Sequence, residues 1–269
     1  MIINTMLVIV MLIFLLFIII GFCRGLFKSI FKLLAGVLAM ALSYFLAPLV
    51  SGVLINNTAI DDYIKGIVDA KIESTVENMI EKQVREELEQ TLGISAGAID
   101  PKIIDSAVDA AKNVELTRSE QIEMINNISA PDFIKDALIE NNYDDIKHTM
   151  GVSNFYDYIS TYISYMVMNA VAFGMTYIII TLLFMLISVA LTATLNLPIV
   201  NTINRFGGIV FGAGEALLVV WILFAIISLA ATTDAGSNMY AQIVENQFLK
   251  TLYDKNVINN VIVGISKVI

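Results

Sequence analysis

The chain has 269 residues, of which 57% are hydrophobic and 15% are charged. Soluble domains are typically about 45 to 50% apolar and about 25% charged, so the composition indicates a membrane protein. The net charge of -9 comes without a long stripe of Lys and Arg, which excludes nucleic acid as a partner. Cys23 is the single cysteine and His148 the single histidine, which excludes an intrachain disulfide, a cysteine zinc cluster and a paired-histidine metal site.

Four apolar stretches are long enough to cross a bilayer, whose hydrocarbon core of about 30 Å needs about 20 residues of helix. They lie at 6–20, within the stretch 1–23 that carries no charged side chain, and at 33–55, 167–195 and 207–231. The first lacks the basic start and small-residue cleavage site of a signal peptide, so we expect it to be retained. The predicted fold class is all-α, an integral membrane protein with about four transmembrane helices and an extracytoplasmic helical insertion.

The third apolar stretch belongs to a longer region, 158–204, that contains no charge. This region is long for one span and short for two, and the sequence leaves both arrangements open. One span is favoured because Gly174 alone offers a tight turn within the region. Four tyrosines at its start predict an aromatic belt at the outer membrane interface, and these are Tyr156, Tyr158, Tyr162 and Tyr165.

Basic residues fall in the two short connections between predicted spans. Arg24, Lys28 and Lys32 lie between the first and second spans, and Arg205 lies between the third and fourth. The positive-inside rule puts both connections in the cytoplasm, so we expect a bacterial cytoplasmic (inner) membrane protein whose long middle segment lies outside. The predicted organisation is a transmembrane pair at 1–55, an acidic extracytoplasmic segment at 56–157, a second transmembrane pair at 158–231 and an extracytoplasmic tail at 232–269.

The bases of the first connection also have a regular spacing. Arg24, Lys28 and Lys32 are four residues apart, which predicts one basic stripe along a single interfacial helix. Such a stripe suits the headgroup layer, where each base gains about 1 kcal/mol from anionic lipid. A topology signal with no further role explains the same residues equally well. A second, weaker interfacial helix is predicted at 199–206.

The acidic middle segment has the periodicity of several amphipathic helices. Apolar residues recur every three or four positions through 60–92, which predicts one long helix capped by Gly93. Further helices are predicted from Asp100 with Pro101 in the first turn, from a capping box that starts at Thr117, and near Pro131. The apolar face of the long helix consists of Ile64, Ile67, Val68, Ile72, Val76, Met79, Ile80, Val84 and Leu88.

These apolar faces need a partner, and the sequence leaves two interpretations open. Either the helices pack on one another as a self-contained cap, or residues 60–92 dock another envelope or secretion protein or a second copy of the chain. The carboxylates on the opposite face lack the spacing of a calcium loop. We therefore interpret them as a solvated surface and expect no metal or other cofactor.

The fourth span carries two features that a simple membrane anchor does not need. Gly208 and Gly212 have the small-x-x-x-small spacing that lets two membrane helices approach closely. Glu215 is the one ionisable residue inside a predicted span, and such residues usually mark a pathway or a paired site. Glu215 is thus the candidate intramembrane functional residue, and we hypothesise that it pairs with a base such as Arg24. A small shift of the span boundary would instead put it at the membrane edge.

Two motifs resemble the colicin V production protein (CvpA) family of bacterial membrane proteins. The sequence Gly-Phe-Cys-Arg-Gly at 21–25, followed by the Lys-bearing 27–36, looks like that family's G-x-x-R-G turn between its first two spans. The sequence at 203–214 looks like its N-R-x-x-G-x-x-x-G entry into the last span. The chain departs from the family in its longer outer segment and in Glu215, where family members often carry a base.

The resemblance implies a role in the bacterial envelope, including production or export of a peptide toxin, and no known catalytic reaction. The sequence contains no Walker A loop, no GxGxxG and no GxSxG, so no enzyme is expected. The leading hypothesis is a non-catalytic scaffold or accessory factor in envelope upkeep or in toxin production and secretion. The alternative is a small oligomeric channel or transporter built on the glycine-rich fourth span.

Overall fold

A computed structural model of the protein describes residues 4–93, 101–112, 116–128, 130–152, 154–192 and 202–267. Helices make up 90% of these residues and none of them forms a strand, which confirms the all-α prediction. In chain order the helices are α1 (Thr5–Arg24), α2 (Leu26–Asn57), α3 (Ile60–Leu92), α4 (Pro101–Lys112), α5 (Arg118–Asn127), α6 (Asp132–Glu140), α7 (Asp144–Met150), α8 (Phe155–Thr192), α9 (Thr202–Leu229), α10 (Asp234–Glu245), α11 (Gln247–Asp254) and α12 (Val257–Ile265).

Four helices in the described part of the chain, α1, α2, α8 and α9, are long and apolar enough to cross a membrane. The third span is one helix, because α8 continues without a break through Gly174. Residues 193–201, which include the end of the predicted third span and the start of the predicted interfacial helix, lie outside the described residues. The rest of that predicted helix, 202–206, forms the first turns of α9. The prediction of a separate interfacial helix is therefore wrong.

The connection between α1 and α2 is shorter than predicted. Gly25 alone separates the two helices, and its φ of 79° is a conformation that glycine adopts readily and other residues avoid. Arg24 therefore ends α1, while Lys28 and Lys32 lie in the first two turns of α2. The prediction of one basic helix that carries all three side chains is wrong, because the glycine breaks the helix between them.

The described residues divide into two compact units. Those within Met1–Thr58 and Met166–Ser266 form the first, which we call the spanning unit. Those within Ala59–Tyr165, which we call the helical insert, form the second together with Lys267. The start of α8 belongs to the insert and the rest of that helix belongs to the spanning unit.

In the spanning unit, α1 packs antiparallel to α9. The backbone of Phe17 lies against Gly212, and that of Gly25 lies against Gly208. The residue numbers thus rise along α1 as they fall along α9. This order places the C-terminal end of α1 beside the first turns of α9, so that the two family-like motifs face one another.

The second helix, α2, runs parallel to α9 in the same unit. The side chain of Leu26 lies at Gly207, and that of Leu33 lies at Gly214. The buried side of α2 carries mainly small residues, among them Ser29, Ala39, Ser43, Ala47 and Ser51. Its exposed residues are large and apolar, including Phe31, Leu34, Leu38, Phe45 and Leu49. Small residues inside and large apolar ones outside are the pattern of a helix that is surrounded by lipid.

The C-terminal residues, expected as a tail, fold onto the same unit. The amide of Asn4 donates to the carbonyl of Gln242 at 2.7 Å, which fastens α10 to the start of α1. The indole N–H of Trp221 donates to the Leu252 carbonyl at 2.9 Å, and the Asn256 amide donates to the Trp221 carbonyl at 2.9 Å. The C-terminal segment thereby satisfies polar groups at the start of α1 and in the second half of α9.

In the helical insert, the helix starts predicted within the described residues are confirmed, whereas α7 was not predicted. α3 covers Ile60–Leu92 and ends at Gly93, whose φ of 64° closes the helix in the left-handed conformation. α4 covers Pro101–Lys112, and Asp100, its predicted first residue, lies outside the described residues. Thr117 and Glu120 form both hydrogen bonds of a capping box at the start of α5, and α6 follows Pro131. Local cap and periodicity signals therefore identified these elements.

The insert buries much of the apolar face predicted for α3. Ile64, Val68, Ile72 and Ile80 are buried, whereas Ile67 remains exposed on the same helix. The Val76 side chain lies outside the described part of the structure. The neighbouring Tyr63 side chain is 71% exposed. The long helix therefore has a buried face for its own unit and a separate exposed face around Tyr63.

Two of the four tyrosines at the start of α8 do not form the predicted membrane belt. Tyr158 and Tyr162 are buried, and the Tyr158 hydroxyl donates to the Leu138 carbonyl at 2.7 Å. The two rings contact one another with centroids 5.7 Å apart. The belt prediction is wrong for these two residues, because an aromatic ring with one polar tip suits a buried helix contact as well as a membrane interface.

Candidate functional site

The site is built on a backbone contact between α1 and α9. A Cβ added to Gly21 would lie 2.9 Å from the Gly212 Cα, and one added to Gly208 would lie 3.0 Å from the Gly25 carbonyl carbon. The first of these Cβ atoms would also overlap the Gly208 carbonyl oxygen, and the second the Gly21 carbonyl oxygen. Only glycine fits at such positions, because the obstructing atoms are backbone and cannot rotate away.

An asparagine holds the turn between α1 and α2. The Asn204 side-chain oxygen accepts from the Phe27 backbone N–H at 3.4 Å, and so pairs one of the free donors at the start of α2. A Cβ on Gly25 would lie 3.0 Å from the Asn204 Cγ. The first turn of α9 therefore packs on the turn of the other motif.

Arg205 faces an aromatic side chain and forms no ion pair among the described residues. Its guanidinium lies 5.7 Å from the centroid of the Phe22 ring, within the range of a cation–π contact. The Phe206 ring meets the Phe22 ring edge-on, with centroids 6.3 Å apart. Arg205 and Phe206 thus join α9 to the last turn of α1.

Glu215 lies behind this contact and pairs with two bases. The Arg24 Nη1 is 3.0 Å from Oε2 and 3.3 Å from Oε1 of Glu215, and the Lys32 Nζ is 3.7 Å from Oε2. The Glu215 side chain is 6% exposed, whereas those of Arg24 and Lys32 are 28% and 49% exposed. One buried carboxylate therefore ties together α1, α2 and α9.

Helix geometry explains how the Arg24 side chain reaches Glu215. Side chains of a helix tilt toward its N-terminus. In the antiparallel pair, Arg24 therefore leans from the end of α1 into the span, and Glu215 leans back toward the start of α9. Ten residues of α9 separate Glu215 from Arg205, which is about 15 Å at the rise of a helix.

This arrangement pairs a carboxylate that would otherwise be an isolated charge in a region of low dielectric constant. A single carboxylate there would be strongly unfavourable, and two cations with a direct hydrogen bond offset that cost. The described residues contain no group of His, Cys, Asp or Glu placed to hold a metal ion. The site can fasten helices and present positive charge.

The structure brings together most residues singled out from the sequence. Glu215 lies beside Arg24, as hypothesised, and Lys32 joins them. Gly208 and Gly212 contact α1 of the same chain. Lys28 is exposed one turn before Lys32 and has no ion-pair partner among the described residues.

The packing roles of three residues were not predicted from the sequence, although the two family-like motifs contain them. These residues are Gly21, Phe22 and Asn204, and all contact the opposite motif. Their spacing carried a usable signal, because Gly21 and Gly25 are four apart at the end of α1, as Gly208 and Gly212 are four apart on one side of α9.

Helices long and apolar enough to span a membrane, joined by glycine contacts and a buried ion pair, define a polytopic α-helical membrane protein. The family model described as colicin V production protein matches residues 8–99 and 149–254, more than half of the chain. The chain therefore belongs to the colicin V production protein (CvpA) family. This family is not known as a family of enzymes. Comparison with curated proteins and with solved structures gives no match.

Proposed function

We propose that the protein is a non-catalytic scaffold or accessory factor in envelope upkeep or in the production and secretion of a colicin V-type toxin. The family match is the observation that carries this proposal. The spanning unit serves as the membrane anchor, and the helical insert supplies the surface that contacts another envelope or secretion protein.

The contacts of the spanning unit support a structural role for the buried carboxylate. Glu215 is already neutralised by Arg24 and Lys32, so its charge is engaged in holding helices. The glycine face of α9 is covered by α1 of the same chain, which leaves Gly208 and Gly212 unavailable for pairing with a second copy. Both contacts favour an anchor over the alternative of an oligomeric channel.

The proposed location is the bacterial inner membrane. Arg24, Lys28, Lys32 and Arg205 gather at one end of the spanning unit, and the positive-inside rule assigns that end to the cytoplasm. The insert then follows α2 on the opposite side of the membrane, in the extracytoplasmic space. Single-cysteine labelling with a membrane-impermeant reagent tests this orientation.

The contact role is tested by photocrosslinking in living cells from two positions of α3. A photoreactive residue at Tyr63, whose side chain is exposed, should capture one distinct envelope or secretion protein, identified by mass spectrometry. The same residue at Val68, which is buried, is the matched control and should give no adduct with that protein. The captured protein should also be required for toxin secretion.

Other results would count against the scaffold. Adducts between copies of the chain at Tyr63, together with a solute or ion flux that depends on the protein, would favour the oligomeric channel. Equal capture from Tyr63 and Val68 would show that the adducts reflect unfolded chains.

A further inference from the structure

Positive charge accumulates at one end of the spanning unit beyond what its single carboxylate balances. Arg24, Lys28, Lys32 and Arg205 supply four positive charges, and Glu215 supplies one negative charge. Glu215 occupies only Nη1 of Arg24, and in the described part of the chain the Nε and Nη2 groups of this guanidinium have no partner. Hydrogen-bond donors therefore remain available at a site that is already assembled.

Two helix N-termini add to this charge. α2 begins at Leu26 and α9 at Thr202, and the two helices run parallel, so the positive ends of both helix dipoles lie at the same end of the unit. Free backbone N–H groups at such ends favour phosphate oxygens. Lys28 lies in the first turn of α2 and is exposed there.

The surroundings of these cations are apolar and exposed. Phe27 and Phe31 flank Lys28 on α2, and Phe206 follows Arg205 on α9, and all three rings are largely exposed. Exposed aromatic side chains next to bases, at the ends of membrane-spanning helices, are typical of the headgroup layer. A ligand that reaches the cations from the bilayer would contact both groups.

We propose that Arg24, Lys28 and Lys32 form a binding site for the phosphate of an anionic phospholipid, at the end of the unit where α1 meets α2. The free donors of Arg24 and the two ammonium groups contact the phosphate oxygens, and the acyl chains lie along the exposed faces of α2 and α9. This site is more specific than a general attraction of bases to the membrane, because Glu215 holds two of the three cations in a fixed arrangement.

Native mass spectrometry of the detergent-purified full chain tests the site. Phosphatidylglycerol should bind more tightly than phosphatidylcholine, with one tightly bound lipid molecule per protein chain. Lys28→Gln should weaken phosphatidylglycerol binding about fivefold, which is the gain expected from one base near an anionic headgroup. Lys28 makes no ion pair with Glu215, so this variant leaves the helix contacts intact, and an unchanged melting temperature verifies that.

The matched control is Lys82→Gln, which removes an exposed lysine from the helical insert and should leave phosphatidylglycerol binding unchanged. Equal affinity for the two lipids, or equal losses in Lys28→Gln and Lys82→Gln, would overturn the proposal. A soluble ligand would be indicated if inorganic phosphate alone bound at millimolar concentration and displaced the lipid, and this too would overturn it. The lipid site does not depend on the scaffold role, so either can fail without the other.

Discussion

Large apolar side chains are widely exposed on the spanning unit, whereas those of the helical insert are mainly buried or half-buried. In the spanning unit, Leu16 of α1 is 55% exposed, while the contact of α1 with α9 combines glycines with buried apolar side chains such as Val10 and Phe224. In the insert, Leu138 of α6 is 0% exposed and Ile125 of α5 is equally buried, while charged side chains face outward. One chain thus contains two helical units whose sequences are adapted to two different solvents.

The difference shows which interactions stabilise each unit. In water, removing apolar surface from solvent drives the helices of the insert together. Lipid tails are as apolar as leucine, so burial of leucine gives no such gain between membrane helices. The spanning unit instead depends on close packing, of backbone at Gly21 and Gly208 and of the buried side chains around Phe224, and on the ion pair of Glu215 with Arg24.

The largest effect should come from disrupting the glycine contact. Gly208→Leu puts a side chain onto the backbone of α1. Overpacking usually costs about 1 to 3 kcal/mol of stability, and we expect a larger loss here because neither backbone can give way. Unfolding in denaturant, followed by fluorescence of the single tryptophan, Trp221, should show loss of the folded spanning unit.

The matched control for this variant is Gly174→Leu in the third span. A Cβ at Gly174 meets nothing within 4 Å, so the same substitution should be tolerated there. Comparable destabilisation of both variants would contradict the packing argument, since it would assign the loss to the leucine itself.

A direct test of the comparison truncates one leucine in each unit. Leu138→Ala should destabilise the insert by about 3 kcal/mol, because it leaves a cavity in a core that excludes water. Leu16→Ala should change stability by less than about 0.5 kcal/mol, because lipid or detergent replaces the lost contacts. Hydrogen exchange, measured separately for the amides of each unit, distinguishes the two effects. A large loss of stability from Leu16→Ala would refute the argument that exposed leucines contribute little to the spanning unit.

A smaller effect is expected from breaking the ion pair. Glu215→Gln leaves Arg24 and Lys32 without their carboxylate and should cost about 2 kcal/mol. This is below the range for fully buried pairs, because both bases are partly exposed and can turn toward water or headgroups. In a double-mutant cycle, Arg24→Gln should recover about 1 kcal/mol of that loss. Strictly additive losses would show that the two side chains do not act as a pair.

The sequence alone predicted those features that depend on neighbouring residues. Long apolar stretches identified four spans, and periodicity with a glycine cap located α3. The capping box at Thr117 is written in four consecutive residues. Such features are predictable because hydrogen bonds within one helix, and the absence of water in lipid, constrain each segment independently of the rest.

Only the tertiary structure decided which segments meet. The spacing of Gly208 and Gly212 predicted a close helix contact without naming its partner, and the structure identifies α1 of the same chain. Tyr158 suited a membrane belt by composition, yet it is buried against Leu138. Contact between distant residues depends on the complementarity of two surfaces, and neither surface is determined by the local sequence of the other.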